Sequence, residues 1–152
     1  GLLVPPDEDG PLVTLAHNEN GKFEDRWVHL TVSPNPCPFL TGINEMYVPI
    51  AHGEGNFVAR KEWILKGLAQ AGQLVLRYSG PNGHPAGYPY NPNGSLFNIA
   101  AVTNPEGNCL GLMPHPERYV TRWHHPNWTR QTFCKEGVGL EIFRNAVNHA
   151  MN

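Results

Sequence analysis

Residues 113–118 read Met-Pro-His-Pro-Glu-Arg and follow an apolar stretch. Side chains two apart on an extended backbone project to the same side. Pro116 fixes its own φ and keeps His115 out of the helical region. Local geometry alone can therefore hold His115 and Glu117 side by side. A carboxylate beside an imidazole selects its tautomer and stabilises the imidazolium formed when the ring takes a proton. That is the base half of a nucleophile–base–acid triad. The competing reading is a His and a Glu at a strand end that meet only water.

A triad needs a nucleophile, and the chain has three cysteines. Gly107-Asn108-Cys109-Leu110-Gly111 has the form of a nucleophile elbow. An elbow, however, needs a strand before it and a helix after it. Here a turn precedes Cys109, and Pro114 and Pro116 forbid a helix after it. Cys109 lies six residues before His115, on the strand leading to it, and so points along the sheet. Cys37 is confined between Pro36 and Pro38, and Cys134 lies near a late loop. Cys37 and Cys109 read as structural. With no CxxC and an odd, sparse set, the cysteines fit a reducing compartment, and a cytoplasmic location is expected.

Two further groups invite attention. Ala51-His52-Gly53-Glu54-Gly55 is a glycine-rich corner, where a ligand can approach the backbone closely. A bulge or tight turn at a strand end explains it equally well. His124 and His125, with His52, His115 and Glu117, are conceivable zinc ligands. Their spacing matches no metal pattern, so no metal site is assigned.

The elements that must position these residues follow from periodicity. Leu12–Ala16 and Arg26–Val32 have strand composition, with a turn at Asn18-Glu19-Asn20-Gly21 between them. Alternation places Val28, Leu30 and Val32 on the core face and Trp27, His29 and Thr31 opposite. Met46–Ala51 is a strand running into the glycine corner. Lys61–Ala71 is a helix burying Ile64, Leu65 and Leu68, stopped by Gly72. Leu74–Leu76 is a buried strand, and Ser79–Ser95 a long loop rich in Gly, Pro and Asn. Asn98–Thr103 and Cys109–Met113 form a hairpin across Asn104-Pro105-Glu106-Gly107. Leu140, Phe143, Val147 and Ala150 mark one face of a final helix. Strands joined by hairpins together with two helices give an α/β or α+β class.

Composition narrows the function. The 152 residues suit one domain. With 16 glycines, 15 prolines and 40% hydrophobic residues, the chain is turn-rich around a core. A net charge of −2 argues against a nucleic-acid binder. No apolar run approaches the ~18 residues that span a membrane.

Five segments in order resemble a known family. They are residues 21–27 (Gly-Lys-Phe-Glu-Asp-Arg-Trp), 51–57 (Ala-His-Gly-Glu-Gly-Asn-Phe), 76–78 (Leu-Arg-Tyr), 91–95 (Asn-Pro-Asn-Gly-Ser) and 111–118 (Gly-Leu-Met-Pro-His-Pro-Glu-Arg). Together they look like the glutamine amidotransferase subunit or domain of phosphoribosylformylglycinamidine synthase. The resemblance implies a class I glutamine amidotransferase-like, flavodoxin-like α/β fold, here its C-terminal part with a mixed sheet and hairpins. It implies hydrolysis of L-glutamine through a cysteine thioester. The ammonia passes to a synthetase subunit or domain, to which ATP and Mg belong; no cofactor is expected in this chain. His115 matches the family's catalytic base and Glu117 the acid that orients it. Gly53 and Glu54 fall where such enzymes contact glutamine, mainly through main-chain atoms.

The family's nucleophile sits in a Gly-x-Cys-Asn-Gly elbow followed by a helix and a Leu-Gly-Leu-Leu-Pro stretch. Gly1-Leu2-Leu3 resembles that last stretch. On this reading residues 1–152 are a single, partial domain, the nucleophile lies upstream, and the chain alone has no glutaminase activity. A homo-oligomer covering the bared face is a further expectation. The rival readings are a non-catalytic module that docks to a synthetase and a small metal-dependent hydrolase.

Overall fold

The computed structural model describes residues 1–85, 87–130 and 136–151; Cys134 lies outside them. The elements are β1 (Val13–Ala16), β2 (Glu24–Val32), β3 (Glu45–His52), β4 (Asn56–Ala59), α1 (Glu62–Gln70), β5 (Leu74–Ser79), β6 (Ile99–Thr103), β7 (Leu110–Leu112) and α2 (Gly139–Met151). Five strands form one sheet in the order β3-β2-β5-β6-β7, and β1 pairs with β4 apart from it. Every pairing among the described strands is antiparallel.

Alternation decides the centre of the sheet. Val28 and Leu30 are 2% and 1% exposed, while Trp27, His29 and Thr31 lie half-buried on the other face. Their partners in β3 follow suit: Val28 faces Val48 and Leu30 faces Met46. Leu76 and Tyr78 of β5 join this core, which Leu40, Tyr119 and Ile142 close. A second core lies under α1, where Ile64, Leu65 and Leu68 meet Phe57, Leu74, Ile99 and Val102. Gly72, at φ +69°, ends the helix in the left-handed region that suits glycine.

Three elements differ from the sequence reading. β5 runs three residues beyond Leu76, because β2 and β6 pair on both its sides. β4 is too short to show a period and exists through its register with β1, forty or more residues earlier in the chain. The apolar stripe of α2 does not face the core. Phe143 and Val147 are 42% and 57% exposed, whereas Gly139 and Ile142 are buried. Specific anchors fix the roll of this helix. Asn145 Nδ2 donates to the carbonyls of Phe39 (3.0 Å) and Thr41 (2.8 Å). Gly139 lies so close to the Pro116 carbonyl that a Cβ there would sit 1.9 Å from the oxygen.

Candidate active site

The sheet delivers residues 113–118 to one place. Met113 N–H donates to the Ala100 carbonyl (3.1 Å), and His115 N–H crosses to the Pro49 carbonyl of β3 (2.8 Å). Pro116 then starts a 3-10 turn, Pro116–Arg118, closed by Arg118 N–H to His115 O (3.1 Å). Pro114 and Pro116 are buried. The glycine-thinned start of α2 presses on the Pro116 carbonyl from behind. His115 Nδ1 lies 2.7 Å from Glu117 Oε1, with the two side chains 37% and 53% exposed. The pair forms as expected, but across the opening of a turn, not along a strand. A carboxylate only accepts, so Nδ1 carries the hydrogen and Nε2 keeps its lone pair. The result is an imidazole oriented through Nδ1, whose Nε2 has no hydrogen-bond partner among the described residues.

The glycine corner stands nearby. Asn18, 2% exposed, commits its Nδ2 to the carbonyls of Lys22 (2.7 Å) and His52 (2.8 Å). Its Oδ1 accepts from Gly55 N–H (3.0 Å) and faces His52 Nδ1 at 3.1 Å. His52 Nδ1 is therefore the donor. Its Nε2 is a buried acceptor with no hydrogen-bond partner among the described residues. Burial pushes the His52 pKa down, and the nearby His115 acts in the same direction against Glu24. Gly55 makes room for the ring, since a Cβ there would lie 2.3 Å from His52 Cε1. Across the sheet from His52 sits Glu24, 5% exposed. It pairs with Arg26 (2.5 Å) and accepts from Asn20. Arg26 also reaches the Tyr88 hydroxyl at 3.0 Å.

The other sequence candidates sort themselves by position. Gly53 and Glu54 lie in the corner as backbone. The Gly53 carbonyl accepts from Asn18 N–H (2.8 Å). The Glu54 side chain, 68% exposed, points away to His17 at 3.4 Å. His124 and His125 do not converge with His52. His125 is buried against Trp27 (ring centroids 5.2 Å), Tyr119 and Tyr47, and His124 Nδ1 accepts from Val120 N–H. Among the described residues no group of three or more His, Cys, Asp or Glu side chains could hold a metal ion. Cys37 is buried beside Thr103 and Cys109, and its thiol pKa is pushed up by desolvation. Thr103 and Cys109 are at the hairpin-turn end of β7, opposite to His115. Neither described cysteine is placed to attack a molecule held by His115. Asn18, Asn93 and Ser95 carry much of the site's geometry. Asn18 reads in sequence only as part of a turn.

The α/β architecture with its curled antiparallel sheet is that of a class I glutamine amidotransferase-like fold, as its superposition on a solved relative shows. Residues 1–150 match the CobB/CobQ-like glutamine amidotransferase domain, and the chain belongs to that family. The phosphoribosylformylglycinamidine synthase subunit PurQ of Dehalococcoides mccartyi is 41% identical over 152 residues, covering 99% of this chain and 58% of the relative. The corresponding subunit of Archaeoglobus fulgidus is 40% identical over 161 residues, covering 98% and 57%. The chain thus spans little more than half the length of these relatives. The solved structure of PurLQS from Thermotoga maritima superposes with a TM-score of 0.64 at 31% identity, covering 90% of this chain and 52% of that one. No described helix is long and apolar enough to cross a membrane.

Proposed function

We propose that these residues carry the base, the orienting acid and part of the glutamine pocket of the glutaminase component of phosphoribosylformylglycinamidine synthase. In this role the protein draws ammonia from L-glutamine for the ATP-dependent amidation of formylglycinamide ribonucleotide, in the cytoplasm, with a synthetase partner that binds ATP and Mg. The observation that carries the reading is the 2.7 Å contact between His115 Nδ1 and Glu117 Oε1. It leaves Nε2 free to take the proton of a thiol. The thiolate attacks the side-chain amide carbon of glutamine. The imidazolium returns its proton to the departing nitrogen, and ammonia leaves a thioester. Water, deprotonated by the same Nε2, then releases glutamate and the thiol. Glu117 keeps the imidazole in one tautomer through both halves.

The amide nitrogens of Gly53 and Glu54 serve the glutamine backbone groups, and the Glu54 side chain has no part in this. The thiol comes from outside the described cysteines. An apolar hollow of 210 Å³ beside β7, lined by Leu3, Leu15, Phe57 and Leu112, is a surface against which a synthetase partner could pack.

The test follows nitrogen. Full-length protein with its synthetase should transfer ¹⁵N from amide-labelled glutamine to the amidine. His115→Ala should abolish that transfer and leave ammonia-dependent synthesis intact. Retained glutamine-dependent synthesis would make the chain a docking module instead. The 152-residue chain alone should release no glutamate; normal turnover would refute the partial-domain reading and restore Cys109 as a candidate.

A further inference from the structure

The Asn91–Ser95 stretch has no chemistry of its own, yet it is among the most buried polar parts of the molecule. Asn93 is 0% exposed and Ser95 2%. Asn93 Nδ2 donates to the hydroxyl of Tyr78 (3.0 Å), a fully buried residue at the centre of the sheet. Asn93 Oδ1 accepts from Ser95 N–H (3.0 Å) and faces Ser95 Oγ at 2.7 Å. Ser95 Oγ in turn accepts from Phe57 N–H (3.0 Å), and its single hydrogen is shared between Asn93 Oδ1 and the Gly55 carbonyl at 3.1 Å. A polar strut therefore runs from Tyr78 through Asn93 and Ser95 to the glycine corner. Its opposite abutment is Asn18, which holds His52 O, Gly53 O and Gly55 N. Glu19 N–H to Asn93 O (3.1 Å) ties the two abutments together.

These bonds use His52 O, Gly53 O, Gly55 N and Gly55 O. They use neither Gly53 N nor Glu54 N. The corner is clamped on both sides, and among the described residues no hydrogen bond occupies the two amide nitrogens between the clamps. The geometry points to Ser95, with Asn93 and Tyr78 behind it, as a positioning residue that aims the Gly53 and Glu54 amides at the substrate. This rests on the glutaminase reading above. Buried polar chains of this kind hold their shape because every broken link leaves an unsatisfied group behind.

Ser95→Ala in the full-length protein with its synthetase should raise KM for glutamine about tenfold and leave kcat within about twofold. Ser95→Thr, which keeps the hydroxyl, should restore KM. Tyr78→Phe, far from the substrate, should move KM in the same direction. Thr103→Val is the control. It removes a hydroxyl that is equally buried but bonds the Cys109 carbonyl, and should leave KM alone. Amide hydrogen exchange supplies a readout that needs no activity. Ser95→Ala should speed exchange at Gly55 and Phe57 by about tenfold or more, and not within β2. Unchanged exchange would overturn the strut. Faster exchange with unchanged KM would overturn its positioning role. If the full-length wild-type protein with its synthetase releases no glutamate, the glutaminase reading fails, and exchange alone decides the strut.

Discussion

Replacing Gly55 by alanine gives the sharpest test of how the corner is built. The backbone there does not require glycine for its φ, so the effect is purely one of space. An added Cβ would lie 2.3, 2.4 and 2.6 Å from three atoms of the His52 ring. The ring cannot simply swing aside. It is 7% exposed, and Asn18 holds both its Nδ1 and its carbonyl. Forcing a methyl group into such a site costs about 1–3 kcal/mol. Losing the His52–Asn18 bond adds about 1 kcal/mol. The sum, about 2–4 kcal/mol, corresponds to a fall of about 10 °C in Tm for a chain of this size. Gly53→Ala is the matched control. Its Cβ would meet only Phe23 Cδ2, at an ordinary 3.9 Å. Both variants stiffen the unfolded chain equally, so their difference isolates the clash. Urea unfolding of the two should separate them by at least about 2 kcal/mol. Equal midpoints would refute the packing argument and the rigid placement of His52.

Other outcomes follow from the same structure. Burial holds His29, His52 and His125 below the ordinary histidine value of 6.5. The unfolded chain then takes up protons that the folded chain refuses, so stability is full above pH 6.5 and falls as pH drops through it. Asp7 and Glu136, whose carboxyls Arg60 and Arg144 hold below 3.8 and 4.5, lose their contribution only at still lower pH. Urea midpoints should therefore already decline between pH 7.5 and 5.5; a flat profile would refute burial as the cause. Glu117→Gln keeps the shape but no longer enforces the tautomer of His115, and should lower glutamine-dependent turnover by about 10²–10⁴-fold with ammonia-dependent turnover unchanged. Cys37, buried with a raised pKa, should resist alkylation by iodoacetamide until the chain unfolds, as mass spectrometry of the labelled peptides can show. Asn145→Ala should release the anchor of α2 and cost about 1 kcal/mol in urea unfolding, because it unpairs the part-buried Phe39 carbonyl while water takes up the exposed Thr41 carbonyl.

Local order determined much of this molecule. The alternation in Arg26–Val32 identified the core face of the central strand, because a pleat must send neighbouring side chains to opposite sides. The helical spacing of Ile64, Leu65 and Leu68 identified the buried face of α1. The spacing of His115, Pro116 and Glu117 made their pairing a matter of a few covalent bonds, so the pair was legible before any fold was known. Only the tertiary structure decided what depends on distant segments. β4 exists through β1, and α2 turns its apolar stripe outward because Asn145 and Gly139 anchor it elsewhere. Asn18 and Ser95 lie 34 residues before and 43 after His52 in the chain, and meet at the glycine corner only when the sheet is assembled. A side chain's type and its near neighbours state what it can bond to. Which partner arrives, and whether water is excluded there, is set by chain closure over long separations, which no local pattern records.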